Sequence, residues 1–303
     1  MADFQLTTPV AFLIFNRPDT TARVFEAIRQ AKPPKLLVVA DGPRPDRPDD
    51  VENCKAARAI IDKVDWDCAV LKNYSEVNLG CGKRPATGIT WVFEQVEEAI
   101  IFEDDCLPHP TFFQFCEELL EDYRNDERIM HISGTNLTPI PNLKTSFLFS
   151  RLVPTWGWAT WRRAWQKFDI EMKLWTEYKN TKSLEYYGSQ KNYVHQCFES
   201  HYNNLLVDSW DGIWAFSFVY HNGLSIIPKF NLVQNIGFRK DATHTRKKSH
   251  LSSVPVQALE FPLVKPHTMN PDRNFDQRYL KFMSGQWSVT REIFAIVNKF
   301  VKF

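Results

Sequence analysis

Three short apolar runs, residues 10–15, 35–40 and 99–102, each stop at a polar cluster, and helix-like segments fill the intervals between them. A strand buried on both faces reads as a continuous apolar run, whereas a half-buried strand alternates. Such runs separated by helices imply βαβ units, a mostly parallel sheet and right-handed crossovers. The first run is stopped by Asn16-Arg17-Pro18, and Asp19 or Thr20 is placed to cap a helix reaching about Gln30. Val24, Phe25, Ala27 and Ile28 form the inner face of that helix. A second helix is expected over residues 49–62 and a third strand over 69–74. Gly80, Gly82 and Gly88 read as a loop leading into a helix over residues 89–96. Later the pattern is less regular, with a helix over 111–124 and mixed sheet near 147–152. A chain of 303 residues without repeats or linkers is read as one α/β/α domain. Its halves are expected at about 1–108 and 109–250, with a carboxyl-terminal extension over 251–303.

The run at 99–102 leads directly into Glu103-Asp104-Asp105. In open α/β sheets the carboxyl ends of the strands face the crevice where ligands bind. Carboxylates crowded there need compensation, and a hard divalent cation carrying phosphates is the usual one. The plainer reading is a solvated acidic turn, with Asp105 helping to cap the helix near Pro108-His109-Pro110. The other strand ends add Asn16-Arg17 and Asp41-Gly42, and Lys83-Arg84 precedes the next helix. Arg17 and Arg84 suit a phosphate or the edge of a nucleobase, and Asp41 suits a base or ribose donor. Each has a bland alternative, such as an exposed arginine or an ordinary Asp-Gly-Pro turn. Their convergence on one sheet edge favours a site. No Gly-x-Gly-x-x-Gly follows the first run and no Walker-type Gly-Lys-Ser/Thr is present, which argues against dinucleotide dehydrogenases and P-loop enzymes.

A formal charge of +1 argues against a nucleic-acid partner recruited by global charge. The 10 Trp and 23 Phe residues supply a large core, and those near polar loops suit the faces of sugar rings. Six cysteines show neither a Cys-x-x-Cys pair nor zinc-ligand spacing. With no export signal at Met1-Ala2-Asp3-Phe4, they read as reduced thiols of a cytoplasmic protein. No apolar window approaches the length of a membrane span.

Several segments in fixed order extend the pattern: Arg17, Asp41-Gly42, Glu103-Asp104-Asp105, Pro154-Thr155-Trp156-Gly157-Trp158, Trp210-Asp211, and Phe238 to His244. From about residue 9 to 246 the chain resembles the GT-A glycosyltransferases. Within them it is most similar to the family of the N-acetylglucosaminyltransferase that begins complex N-glycans. Thr155 and Trp156 depart from that family's Pro-Gly-Leu-Gly-Trp segment, and Arg84 stands where it has a histidine. The resemblance implies a GT-A three-layer fold and a Mn²⁺ or Mg²⁺ ion on Asp105. It further implies nucleotide contacts from Arg17, Asp41 and Asp104, and a sugar contact from Glu103. Thr243 and His244 would cover the diphosphate, and a direct metal bond from His244 would favour Mn²⁺. The alternative for His244 is a solvated loop in the basic run Thr245-Arg246-Lys247-Lys248.

Transfer from a nucleotide sugar also needs a base for the acceptor hydroxyl. Asp211 is the candidate, lying between Trp210 and Trp214, whose apolar walls are expected to raise its pKa. Asp208 competes, and a helix-capping Asp211 is the plain reading. One base opposite the leaving group implies inversion at the anomeric carbon. The segment 156–161 is expected to floor the acceptor site, with Trp158 and Trp210 near it and Trp165 in the core; a packed helix at 161–165 is equally compatible. The tail over 289–303 is apolar with Arg291, Lys299 and Lys302. It suits docking on its own domain or an oligomer partner, or an anionic inner membrane face bearing a lipid-linked acceptor. The sequence expectation is a metal-dependent inverting glycosyltransferase, with a UDP-linked donor and a glycan or lipid-linked acceptor. The competing readings are a sugar nucleotidyltransferase, against which Asn16-Arg17-Pro18 replaces the Gly-rich loop, and a non-catalytic carbohydrate-binding protein.

Overall fold

The computed structural model describes residues 4–140, 142–203, 209–238 and 254–285. In the first third, strand β1 (Val10–Ile14) leads to helix α1 (Pro18–Ala31), β2 (Lys35–Ala40) to α2 (Asp49–Ile60), and β3 (Ala69–Tyr74) to α3 (Gly80–Gln95). Strand β4 (Glu98–Glu103) carries the acidic triplet at its end, followed by β5 (Cys106–Pro108) and α4 (Thr111–Asp122). Then come β6 (Ile129–Ser133), β7 (Phe147–Ser150), β8 (Trp158–Trp161), and the short α5 (Arg162–Trp165) and α6 (Trp175–Tyr178). Helices α7 (Lys191–Tyr202) and α8 (Asp211–Tyr220), strands β9 (Leu224–Pro228) and β10 (Val233–Asn235), and α9 (Arg273–Met283) complete the described elements.

Eight strands form one sheet in the order β3-β2-β1-β4-β8-β6-β9-β7. The four on the amino-terminal side are mutually parallel, with β1 between β2 and β4. Strand β8 then runs antiparallel to both β4 and β6, and β7 antiparallel to β9. Alternate residues of each central strand feed two separate cores, which is why these strands read as continuous apolar runs. Val10, Phe12 and Ile14 pack with α1 and α4, whereas Ala11 and Leu13 pack with α3 and the aromatic cluster of α5 to α8. The result is the expected three-layer α/β/α arrangement, parallel in its first half and mixed in its second. Among the described residues no helix is long and apolar enough to cross a membrane.

Three local expectations are corrected. Helix α1 starts at Pro18, whose fixed φ and missing N–H suit a first helical position, and no side chain caps it. Instead the Thr20 and Thr21 hydroxyls donate to the Arg17 carbonyl. The glycine-rich stretch expected as a loop is the first half of α3. Gly88 serves packing, since a Cβ there would lie 2.3 Å from a methyl of Val39 and α3 lies directly on β2, whereas Gly80 takes a positive φ of 83° at the helix start. The candidate packed helix at 161–165 is split, with Trp161 ending β8 and only Arg162–Trp165 helical.

His131, in the middle of β6, is fully buried. Its Nε2 bonds the Pro154 carbonyl at 2.9 Å, its Nδ1 lies 3.5 Å from Trp214 Nε1, and its ring stacks on Trp158 at 5.0 Å. Burial pushes its pKa down from 6.5 to about 4, only partly offset by the bond to Pro154. A depressed histidine favours the fold fully above the unfolded pKa and loses that contribution as pH falls toward the folded one. The stability gap between wild type and His131→Gln should therefore shrink by about 3 kcal/mol between pH 7 and pH 4. Denaturant unfolding at both pH values checks this, and a constant gap would contradict a buried neutral imidazole.

Candidate active site

Strand pairing brings the ends of β1 and β4 together, with Leu13 opposite Glu103. The chain leaving β1 therefore passes over the triplet. Phe15 N–H donates to Asp104 at 3.0 Å. The Arg17 guanidinium lies 2.8 Å from Asp105 and 3.8 Å from Asp104. Burial raises the Asp104 pKa, Asp105 raises it further, and Arg17 pulls the other way. Glu103 is also pushed up, first by burial and then by Asp105, Asp211 and Asp104. For Arg17, burial opposes the charge, but the neighbouring carboxylates outweigh it and raise the pKa. Among the described residues these three crowded carboxylates share one close guanidinium, and a cation entering the cleft would relieve the excess negative charge.

A second short sheet fixes Asp105 from the other side. Strand β10 pairs with β5, placing Asn235 opposite Cys106. Ile236 N–H donates to the Asp105 carbonyl at 2.8 Å, and Asn235 Nδ2 lies 3.5 Å from its carboxylate. A Cβ on Gly237 would lie 2.1 Å from Asp105 Oδ2, so only glycine leaves the carboxylate where it is. Asn235 and Gly237 were not identified from sequence. No local signal marks a pairing across some 130 residues.

The triplet opens into a cavity of about 480 Å³, lined by Phe15, Arg17, Asp41, Arg44, Asn78 and Arg84 among others. Phe15 presents an aromatic ring there, with the Arg44 guanidinium 5.4 Å from its centroid. Asp41 lines the cavity, but its oxygens take the N–H groups of Gly42, Leu79 and Gly80 and the Asn78 amide. Those bonds offset a burial that pushes its pKa up. The expected acceptor for a base or ribose is therefore engaged within the chain, where it shapes the start of α3. Arg84 also lines the cavity; it is buried, and its Nε and Nη2 donate to the Ala40 carbonyl and Asn73, tying α3 to the ends of β2 and β3.

A second cavity of about 350 Å³ lies toward α7, α8 and α9, and Asp211 lines it. Asp211 is exposed at the start of α8. Its Oδ1 accepts from Ser209 Oγ and Gly212 N–H, and among the described residues Oδ2 takes no hydrogen bond. Trp210, the neighbour of Asp211, reaches a residue of the first cavity: its Nε1 donates to Glu103 Oε1 at 3.2 Å. Trp158 stacks between Trp210 at 5.5 Å and His131 at 5.0 Å.

The aromatic expectations are corrected here. Trp158 is 1 % exposed and Trp210 4 %, so neither floors an acceptor site; one supports the other, which orients Glu103. Trp156 lines the second cavity in their place. Trp214, expected as a wall beside Asp211, is fully buried, and Trp165 lies in the core as expected. Asp208, Thr243, His244 and the carboxyl-terminal tail lie outside the described residues.

Among the described residues no three His, Cys, Asp or Glu side chains form a ready metal cage. The donors present fit a looser arrangement. Mg²⁺ and Mn²⁺ are commonly held by one or two carboxylates together with substrate phosphates, and Asp105 is a hard oxygen donor backed by a glycine.

No protein-family model matches the chain, and no curated protein sequence matches it. Among solved structures it is similar to apo mouse xyloside xylosyltransferase 1, at 11 % identity and a TM-score of 0.35 over 71 % of this chain and 82 % of that one. It is also similar to the inositol-1-phosphate CTP transferase from T. maritima, at 10 % identity and a TM-score of 0.32 over 54 % and 74 %. Likenesses this loose say nothing about what the present chain binds.

The contact between Gly237 and Asp105 gives a direct prediction. Gly237→Ala must push the Asp105 carboxylate off Arg17, and Mn²⁺-dependent binding of UDP should weaken by about tenfold or more. Thermal unfolding should change little, because the displaced group is a side chain at the cleft. Calorimetric titration of both proteins checks this, and equal affinities would remove Asp105 from the metal site.

Proposed function

We propose that this chain is a metal-dependent inverting glycosyltransferase that moves a sugar from a nucleoside-diphosphate sugar, UDP-linked by the resemblance, to a hydroxyl of a glycan or lipid-linked acceptor. The observation that carries the reading is the link between a residue of one cavity and a residue of another: Trp210, the neighbour of Asp211, donates to Glu103, and the Asp211 charge acts on Glu103. One cavity holds the acidic triplet, Arg17 and an aromatic ring; the other holds an exposed carboxylate with an open oxygen. A non-catalytic carbohydrate-binding protein needs no such arrangement.

In this reading Phe15 and Arg44 flank the nucleobase, and Arg17 faces the diphosphate. Asp105 would hold Mn²⁺ or Mg²⁺, with Thr243 and His244 closing over the phosphates. The ion, when bound, supplies charge stabilisation to the departing diphosphate. Glu103, oriented by Trp210, faces the donor sugar. The acceptor hydroxyl enters from the second cavity and gives its proton to Asp211 Oδ2 as its oxygen attacks the anomeric carbon. The bond from that carbon to the phosphate oxygen breaks, and its electron pair leaves with the nucleoside diphosphate. Attack from the face opposite the leaving group inverts the anomeric centre.

Two outcomes test this reading. Asp211→Asn keeps the side chain's shape and removes its proton acceptor. Turnover should fall by about a hundredfold or more, with donor affinity nearly unchanged because the triplet and Arg17 are intact. NMR of the product should show the anomeric configuration opposite to that of the donor. A retained configuration would eliminate the single-base mechanism, and an active Asp211→Asn enzyme would point to a different base.

A further inference from the structure

We propose that the second cavity selects an acceptor bearing an anionic group, phosphate or carboxylate, next to an apolar stretch, and that Arg151 reads that anion. The inference rests on the transferase reading for naming this cavity the acceptor site. The structural observation concerns the arginine itself.

Arg151 follows β7 and lines the same cavity as Asp211. Its backbone is clamped at both ends: its N–H donates to Asp276 at 3.0 Å, and its carbonyl accepts from the Tyr187 hydroxyl at 3.1 Å. The guanidinium lies over the Tyr186 ring, 4.7 Å from the centroid. Arg273 approaches the same ring at 5.7 Å, adding a second positive charge nearby. Asp276 does not neutralise the Arg151 side chain. This carboxylate is fully buried and accepts from the Ser150 hydroxyl, the Arg151 backbone and the Tyr186 hydroxyl. Arg151 enters no ion pair among the described residues, and its Nε is buried without a hydrogen-bond partner.

Apolar side chains make up much of the wall, and the acid of the cavity, Asp211, makes no ion pair with Arg151 among the described residues. Leu137, Leu152, Val194, Phe198, Val219 and Leu280 line the cavity beside it. A neutral occupant would strip water from the guanidinium and leave it unpaired among apolar side chains, which is unfavourable. An anionic oxygen group converts the same position into a charge-assisted contact, and guanidinium matches both carboxylate and phosphate in bidentate geometry. The apolar wall then takes a hydrocarbon portion of the ligand. Because Asp211 is itself an acid in this cavity, the anion belongs at the Arg151 end and the reacting hydroxyl at the Asp211 end.

Calorimetric titration with octyl phosphate, octyl glucuronide and octyl glucoside tests this, each below its micelle concentration and at one fixed ionic strength. The measurement needs no sugar transfer, so the acceptor-class inference and the transferase reading can fail independently. Wild type should bind at least one of the two anionic ligands about tenfold or more tighter than octyl glucoside, the scale of one charge-assisted contact. Preference for the phosphate or for the glucuronide identifies which anion is read. Arg151→Met, which keeps the apolar stem, should lose that preference, and Arg151→Lys should keep part of it. Thermal unfolding of both variants reports whether the cavity wall is intact; if Arg151→Met unfolds early, the Lys variant decides between charge and packing. Equal binding of all three ligands by wild type, or a preference that survives Arg151→Met, overturns the proposal.

Discussion

The contact between Arg17 and the Asp104-Asp105 carboxylates is the constraint around which the cleft is built. Two unit charges about 4 Å apart interact by about 4 kcal/mol at an effective dielectric of about 20. Three acids at the end of a buried strand would repel one another on that scale without a cation. Arg17 is available because β1 lies beside β4 and the chain turns across the triplet at Phe15. The parallel pairing of the first half, driven by two-sided burial of apolar strands, is thus what makes the acidic cluster tolerable. Among the described residues one guanidinium leaves the cluster under-compensated, which suits a site whose ligand arrives with its own cation.

A second chain of contacts carries the geometry toward the other cavity. His131, Trp158 and Trp210 stack in sequence, and the last of them holds Glu103. The buried stack is therefore a positioning device: core aromatics from β6 and β8 support the indole that holds the Glu103 carboxylate. The next residue in the chain, Asp211, opens to the second cavity. Two cavity-lining carboxylates are thus linked through adjacent residues of one helix start.

The parallel half of the sheet was legible in the sequence because β1, β2 and β4 are continuous apolar runs ending in polar clusters, with the half-exposed β3 following at the same strand-helix spacing. Residues 10–14, 35–40, 69–74 and 98–103 emerged as strands almost to the residue. The glycine-rich start of α3 was misread because glycine signals a loop locally, while here the small size of Gly88 serves helix-on-sheet contact at Val39. Convergence of Arg17 and the triplet followed from topology and needed no side-chain detail. Trp158 went the other way: burial decides whether an aromatic faces a ligand, and a single sequence does not display burial. Asn235 and Gly237 were invisible because their pairing with the triplet is long-range, and Arg151 because its unmatched charge exists only in three dimensions.

The central claim is that the end of β4 is a metal-assisted nucleotide site. Crystals grown with Mn²⁺ and UDP, with diffraction recorded at the manganese absorption edge, test it most directly. An anomalous peak beside the Asp105 carboxylate, with the diphosphate between it and Arg17, is the result expected. A manganese peak elsewhere, or UDP bound in the cleft without one, would contradict the account.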